Sequence, residues 1–213
     1  MILKKIILRS FLPFVLVFMV LSMLSMVPFI QKTFYPVFEN FSVSLLNTQI
    51  TDVYFKSKPK SLQTDLDYNT IVVLFNSKKV ITAIANEAKR RNLMAQYDYQ
   101  GFKINIDETF LSPLIFFISL LIFTPGTLKR KLISLMAGMF LILCFSYLMV
   151  YFKGLFMVGK SGVRDFQYSQ NDVNFFQAMH FFFSPVTVVS VVLITWVLVA
   201  FRKSDLKKLF DRS

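Results

Sequence analysis

Four long stretches of this sequence carry no lysine, arginine, aspartate or glutamate, and they limit the possible folds more than any other feature. They cover residues 11–30, 109–128, 132–152 and 175–201. A helix needs about 20 apolar residues to cross the roughly 30 Å hydrocarbon core of a bilayer, since each residue adds about 1.5 Å. The last three stretches have no polar face, and the remaining chain is too short to enclose them. The pattern therefore favours four transmembrane helices.

The first stretch has an alternative interpretation, because the basic residues Lys4, Lys5 and Arg9 that precede it are typical of a cleaved signal peptide. However, the stretch is longer than an ordinary signal core, and no small-x-small cleavage site follows it. We therefore expect residues 11–30 to be retained as transmembrane helix 1.

The composition agrees with a chain that lies partly in lipid. Hydrophobic residues make up 55% of the 213 residues and charged residues 17%, whereas soluble domains contain about 25% charged residues. The net charge of +12 suits either nucleic acid or anionic lipid as a partner. Cys144 is the only cysteine, so a disulfide within the chain is impossible.

The positions of the basic residues predict the side of the membrane that each connection occupies. Lysines and arginines crowd the short segments 1–10, 129–131 and 202–213, and short basic segments stay in the cytoplasm. Residues 31–108 and 153–174 then lie outside. This predicts a multi-pass protein of the bacterial inner (plasma) membrane with both termini cytoplasmic. Because anionic phospholipid attracts such basic flanks, we expect it as a partner and expect no nucleic acid.

The segment 31–108 is the only sizeable piece outside the predicted membrane helices, and its pattern predicts a small α+β module. Periodic apolar residues indicate one helix that begins near Pro36 and another over residues 78–91. Alternating apolar and polar residues predict strands over residues 51–58, 70–75 and 95–107. The predicted fold class is a mainly α membrane protein, with four transmembrane helices and this extracytoplasmic module inserted between helices 1 and 2.

A few side chains are candidates for contacts with a partner protein or a lipid: Lys89, Arg90, Arg91, Arg164 and His180. The three consecutive basic residues end a predicted helix, where positive charge suits the helix dipole. The alternative for them is an ordinary solvated helix end. His180 is the only histidine and lies at the outer end of the fourth stretch, where a lone histidine more often has a structural role than a catalytic one.

The sequence contains no recognisable constellation for chemistry. It has no glycine-rich phosphate loop and no paired cysteine or histidine ligands. The acidic pairs at Asp65 and Asp67 and at Asp107 and Glu108 supply too few oxygen ligands for a calcium loop. Cys144 lies near the middle of the third stretch, where hydrocarbon disfavours a reactive thiolate. We therefore predict no catalytic residue, no metal site and no cofactor.

Residues 104–212 resemble the exosortase-associated membrane proteins, in particular the small family associated with exosortase H. The similarity rests on the order of a strand, apolar spans and basic turns, and on these motifs: the run from Pro113 to Phe123, Thr124-Pro125-Gly126, Lys129-Arg130-Lys131-Leu132, Gly138, Pro185, Trp196 and the basic tail from Arg202. The resemblance implies a role beside an envelope protein-sorting protease-transpeptidase. That partner supplies its own catalytic cysteine, and Cys144 has no such role by this resemblance.

The sequence thus predicts a non-catalytic accessory or scaffold subunit of a bacterial envelope protein-sorting or assembly system, which binds integral membrane partner proteins through its spans and its periplasmic module. One alternative is a membrane enzyme, or a subunit that handles lipid or polysaccharide, with an outer-leaflet site around His180, Arg164 and Asp165. Another is a ligand sensor, although the tail after Arg202 is too short to form an output domain.

Overall fold

A computed structural model describes residues 2–25, 27–58, 69–124, 126–161 and 168–200. This part of the chain is mainly helical and contains one three-stranded sheet. The elements in chain order are α1 (Ile2–Ser25), α2 (Pro28–Gln49), β1 (Val53–Ser57), β2 (Thr70–Ser77), α3 (Lys78–Arg91), β3 (Gln100–Asn105), a π-helical turn (Asp107–Leu111), α4 (Ser112–Phe123), α5 (Leu128–Lys160), α6 (Gln170–Phe182) and α7 (Pro185–Ala200).

The chain divides into two compact units, which we describe separately. The helical unit comprises Met1–Lys32, Asp107–Ser146 and Pro185–Ser213, and the sheet unit comprises Thr33–Ile106 and Tyr147–Ser184. Helix α5 contributes its first part to the helical unit and its last part to the sheet unit.

Helix α4 is the centre of the helical unit, where it packs against both α1 and α7. Aromatic rings form the contact with α1, since the ring of Phe116 meets those of Phe14 and Phe18 edge-on at centroid distances of 5.8 Å. Against α5, the ring of Phe117 lies where a β-carbon at Gly138 would be. Both Phe117 and Gly138 are buried, so the lack of a side chain at Gly138 permits this close approach of the two helices.

Hydroxyl groups in the helical unit donate to backbone carbonyls, which satisfies them in apolar surroundings. Ser146 Oγ donates to the carbonyl of Thr109 at 2.6 Å, and Ser134 Oγ donates to that of Val199 at 2.7 Å. These two bonds join α5 to the π turn and to α7. The buried polar groups therefore help to fix how the helices pack.

The sheet unit is built on an antiparallel sheet with strand order β1-β2-β3. Its buried face carries a row of phenylalanines, one from each strand. The ring centroids of Phe55 and Phe75 lie 5.9 Å apart, and those of Phe75 and Phe102 lie 6.0 Å apart. All three side chains are buried. This row is the core that holds the three strands together, because cross-strand aromatic pairs are a main source of sheet stability.

Helix α2 is joined to the sheet by hydrogen bonds. The Asn47 side chain donates from Nδ2 to the carbonyl of Phe55, and its Oδ1 accepts from the amide of Phe55, both at 2.8 Å. Tyr35 donates its hydroxyl to Oδ1 of Asn69 at 3.0 Å, just before β2. Leu46 of α2 fills the space beside Gly154 of α5. These contacts place α2 and the end of α5 in the core of the sheet unit.

The predicted order of strand, strand, helix and strand is confirmed, and α3 has the predicted bounds. Several strand ends differ by one or two residues from the prediction, since β1 covers residues 53–57, β2 covers residues 70–77 and β3 ends at residue 105. Two boundaries differ by five residues or more. Helix α2 begins at Pro28, and Pro36 lies inside it. The proline removes one helical hydrogen bond, and the tertiary contacts of Tyr35 and the buried Leu46 hold the helix against that loss. Strand β3 begins at Gln100, five residues later than predicted, because the residues before it have no partner strand within the described sheet.

The prediction of four transmembrane helices is supported only in part. Of the described helices, α5 alone is long and apolar enough to cross a membrane, and α6 with α7 would qualify as one broken span. The other two predicted spans are shorter: the apolar part of α1 is Leu12–Ser25, and α4 has 12 residues.

Two helices extend beyond the predicted membrane segments. Helix α5 continues to Lys160, so the start of the predicted outer loop 153–174 is helical. Residues 2–10, predicted as a cytoplasmic terminus, already belong to α1. The predicted tail 202–213 and the candidate Arg164 lie outside the described residues.

Candidate interaction surfaces

The outward sides of the helical unit are apolar along their length. Large exposed apolar side chains occur on α1, α5 and α7, and on α7 they extend from Val186, which is 85% exposed, to Leu198, which is 70% exposed. The others include Leu16, Met19, Met23, Leu132, Met136, Phe140, Val189 and Ile194. Soluble monomers rarely expose apolar surface of this extent, whereas lipid is a suitable environment for it.

Basic side chains lie at the end of the helical unit where α4 and α7 terminate. Arg130 Nη2 donates to the carbonyl of Ala200, the last residue of α7, and Lys131 Nζ donates to the carbonyl of Ile122 near the end of α4, both at 2.7 Å. Cations at helix C-termini offset the helix dipole and satisfy free carbonyls. Trp196 Nε1 donates to Thr124 Oγ1 at this same end. Two cationic side chains and the indole of Trp196 therefore lie together at this end of the helical unit.

A groove of about 300 Å³ opens between α1, α4 and α7 of the helical unit. Its lining is mostly apolar and includes Phe18, Phe116, Val188, Val189 and Val192. The polar lining residues, Glu108 and Ser112, lie in and directly after the π turn that precedes α4. The groove was not predicted from the sequence, because it depends on three helices that are distant in the chain.

The predicted contacts Lys89, Arg90 and Arg91 form the last turn of α3 and are exposed. Arg91 pairs with Glu87 one turn earlier, with a distance of 2.6 Å between Nη2 and Oε1. An exposed pair of this kind contributes little to stability. Leu93 and Met94, which follow directly, are also exposed. Leu93 and Met94 were not among the predicted contacts, although their position after three basic residues is visible in the sequence.

His180 packs among aromatic rings in the sheet unit. Its ring stacks on Phe156 of α5 at a centroid distance of 5.5 Å and lies 6.2 Å from the ring of Phe181. Within the described residues, its buried Nδ1 has no hydrogen-bond partner. A general base needs to be oriented by a hydrogen bond and close to its substrate proton. The ring contacts show that His180 packs against aromatic side chains. Arg164 and Asp165, proposed to act beside it, lie outside the described residues.

Tyr168 is the other polar ring near α6. Burial raises the pKa of its phenol, with further contributions from the charges of Tyr151, Asp52 and Asp172. The phenol is therefore neutral at physiological pH, and its ring packs edge-on against Phe176 at 5.2 Å. Like His180, Tyr168 serves the packing of α6.

Cys144 lies halfway along α5 on the exposed side of the helix. In the part of the chain that the structure describes, no three His, Cys, Asp or Glu side chains are grouped so as to hold a metal ion. Asp65 and Asp67 lie outside that part.

No family model, no curated protein and no solved structure matches this chain. The resemblance to exosortase-associated proteins therefore stays a prediction from the sequence.

Proposed function

We propose that this chain is a non-catalytic accessory or scaffold subunit of a bacterial envelope protein-sorting or assembly system, anchored in the inner membrane by four transmembrane segments. The observation that carries the proposal is the apolar outer side of α1, α5 and α7, with basic side chains at one end of the helical unit. Lipid accommodates such a surface, and the basic end belongs on the cytoplasmic side.

The length of α5 fits this placement. Its 33 residues extend about 50 Å at about 1.5 Å each, whereas the hydrocarbon core is roughly 30 Å thick. With residues 132–152 in the hydrocarbon core, residues 153–160 of α5 extend beyond the membrane. These residues include Lys153 and Lys160 and belong to the sheet unit. We place residues 33–106 of that unit in the periplasm.

The groove between α1, α4 and α7 is the site that we assign to a transmembrane helix of the partner. Helices associate in lipid mainly through close packing, because lipid tails remove the usual hydrophobic driving force. A groove lined by valines and phenylalanines offers such packing to an apolar side chain of a partner helix. The packing of His180 between aromatic rings lends the alternative of an outer-leaflet enzyme no support.

Filling the groove tests the proposal. We expect Val189→Trp to reduce recovery of an integral membrane partner about tenfold when the protein is purified in mild detergent, which corresponds to about 1.4 kcal/mol of lost packing. Ile194→Trp is the matched control, because Ile194 is exposed on the same helix but does not line the groove. Mass spectrometry would quantify the proteins that are recovered with each variant.

Two results would count against the proposal. One is equal recovery of every membrane partner with Val189→Trp, Ile194→Trp and the unchanged chain. The other is purification of the unchanged chain without any integral membrane partner in an otherwise intact envelope preparation.

A further inference from the structure

The end of α3 and the residues after it form a compact projection, which we call the α3 tip and define as residues 89–94. Asn92 ends the helix in the left-handed conformation, with φ 57° and ψ 36°. Its amide donates to the carbonyl of Lys89 at 3.4 Å, and the amide of Leu93 donates to that of Ala88 at 2.9 Å. This pair of bonds is typical of a Schellman motif. The tip is therefore a defined turn with fixed backbone hydrogen bonds.

The apolar side chains of the α3 tip point away from the protein. In a Schellman motif, the residue at the position of Leu93 usually packs back on the last helical turn. Here Leu93 is 66% exposed, and the next residue, Met94, is 95% exposed. The backbone hydrogen bonds close the turn, so the exposed side chains are available for another contact.

Positive charge directly precedes these apolar side chains in the chain. Lys89, Arg90 and Arg91 are all exposed in the turn directly before them. The single acidic residue of α3, Glu87, pairs with Arg91 alone. The α3 tip therefore combines a net positive charge with two exposed apolar side chains on six consecutive residues.

We propose that the α3 tip binds the anionic outer surface of the inner membrane, with Leu93 and Met94 inserted among the lipids and the cations on the phosphates. Basic residues next to exposed apolar side chains are typical of segments that lie in a membrane interface. The inference rests on the proposed membrane placement, because residues 33–106 of the sheet unit are then tethered to the bilayer at both ends. Such a tether raises the effective concentration of lipid and makes a weak contact sufficient.

A fluorescent label on the tip provides the test. The intact chain, with Cys144→Ser and Met94→Cys, would carry an environment-sensitive dye in nanodiscs of phosphatidylcholine with or without phosphatidylglycerol. We expect the emission to shift to the blue and to be quenched by spin-labelled lipid about tenfold more strongly when phosphatidylglycerol is present. A label at Lys79→Cys, exposed at the other end of α3, should show little change.

Replacing the cations tests whether the change in dye emission arises from the binding of anionic lipid. Lys89→Gln with Arg90→Gln should abolish the dependence on phosphatidylglycerol, because both side chains are exposed and neither is needed for the helix cap. Equal quenching in both kinds of nanodisc, or quenching that persists in the glutamine variant, would overturn the inference. The inference would also be overturned if the emission of the dye on the tip shifted to the blue only when an acidic protein partner was added.

Incorporation into the nanodisc distinguishes the failure of this inference from that of the proposed function. A chain that inserts into the bilayer but leaves the labelled tip in water contradicts the α3 tip proposal alone. A chain that stays dissolved without lipid or detergent contradicts the membrane placement, and the tip proposal with it.

Discussion

Gly138→Leu should disrupt the packing of α4 against α5 and prevent the helical unit from reaching its native stability. The ring of Phe117 is fully buried and occupies the space where a side chain at residue 138 would lie. Overpacking of a core usually costs about 1–3 kcal/mol, and leucine adds several atoms at a point where even a β-carbon overlaps the ring. Thermal unfolding in detergent, followed by size-exclusion chromatography, would measure the loss.

A second substitution shows whether the effect arises from this contact. Gly138→Ala should destabilise the protein less, and Phe117→Leu in the same chain should recover part of the loss by making room for the methyl group. Met136→Leu, two residues away on the exposed side of α5, should have little effect. If Gly138→Leu unfolds at the same temperature as the unchanged protein, the packing described for α4 and α5 is incorrect.

Phe75→Ala should destabilise the sheet unit by about 3–5 kcal/mol, as is typical for removing a buried phenylalanine. Phe75 is the middle member of the phenylalanine row, so its loss removes both the contact with Phe55 and the contact with Phe102. Hydrogen exchange of the amides in β1, β2 and β3 would report the loss. The control is Tyr54→Ala, because Tyr54 is exposed on β1. Similar protection of the strands in both variants would contradict the role of the row.

Local patterns were sufficient to predict the secondary structure of the α+β module. Helix α3 could be located from the sequence because apolar residues recur at Val80, Ile81 and Ile84 and basic residues follow at its end. The end of α5 could not be located in this way. The length of an apolar stretch indicates that a helix can cross a membrane, but it does not show where the helix ends. Residues after Phe152 continue the helix, and Leu155 and Val158 among them are buried.

The interaction surfaces depended more strongly on tertiary structure. The groove requires α1, α4 and α7 to pack together, and the surroundings of His180 require Phe156 from a different helix. Neither arrangement can be predicted from a short segment of the sequence. The α3 tip differs, since Lys89, Arg90, Arg91, Leu93 and Met94 are neighbours in the chain. The sequence did not predict that the two apolar side chains are exposed, because their exposure depends on the fold.

The placement of the chain across the membrane is the central claim, and labelling of single cysteines tests it most directly. In a Cys144→Ser background, Lys79→Cys and Lys129→Cys put thiols on exposed residues of α3 and of the start of α5. With a membrane-impermeant maleimide on intact spheroplasts, we predict labelling of Lys79→Cys at once and of Lys129→Cys only after lysis. Labelling of Lys129→Cys before lysis, or protection of Lys79→Cys until lysis, would contradict the account.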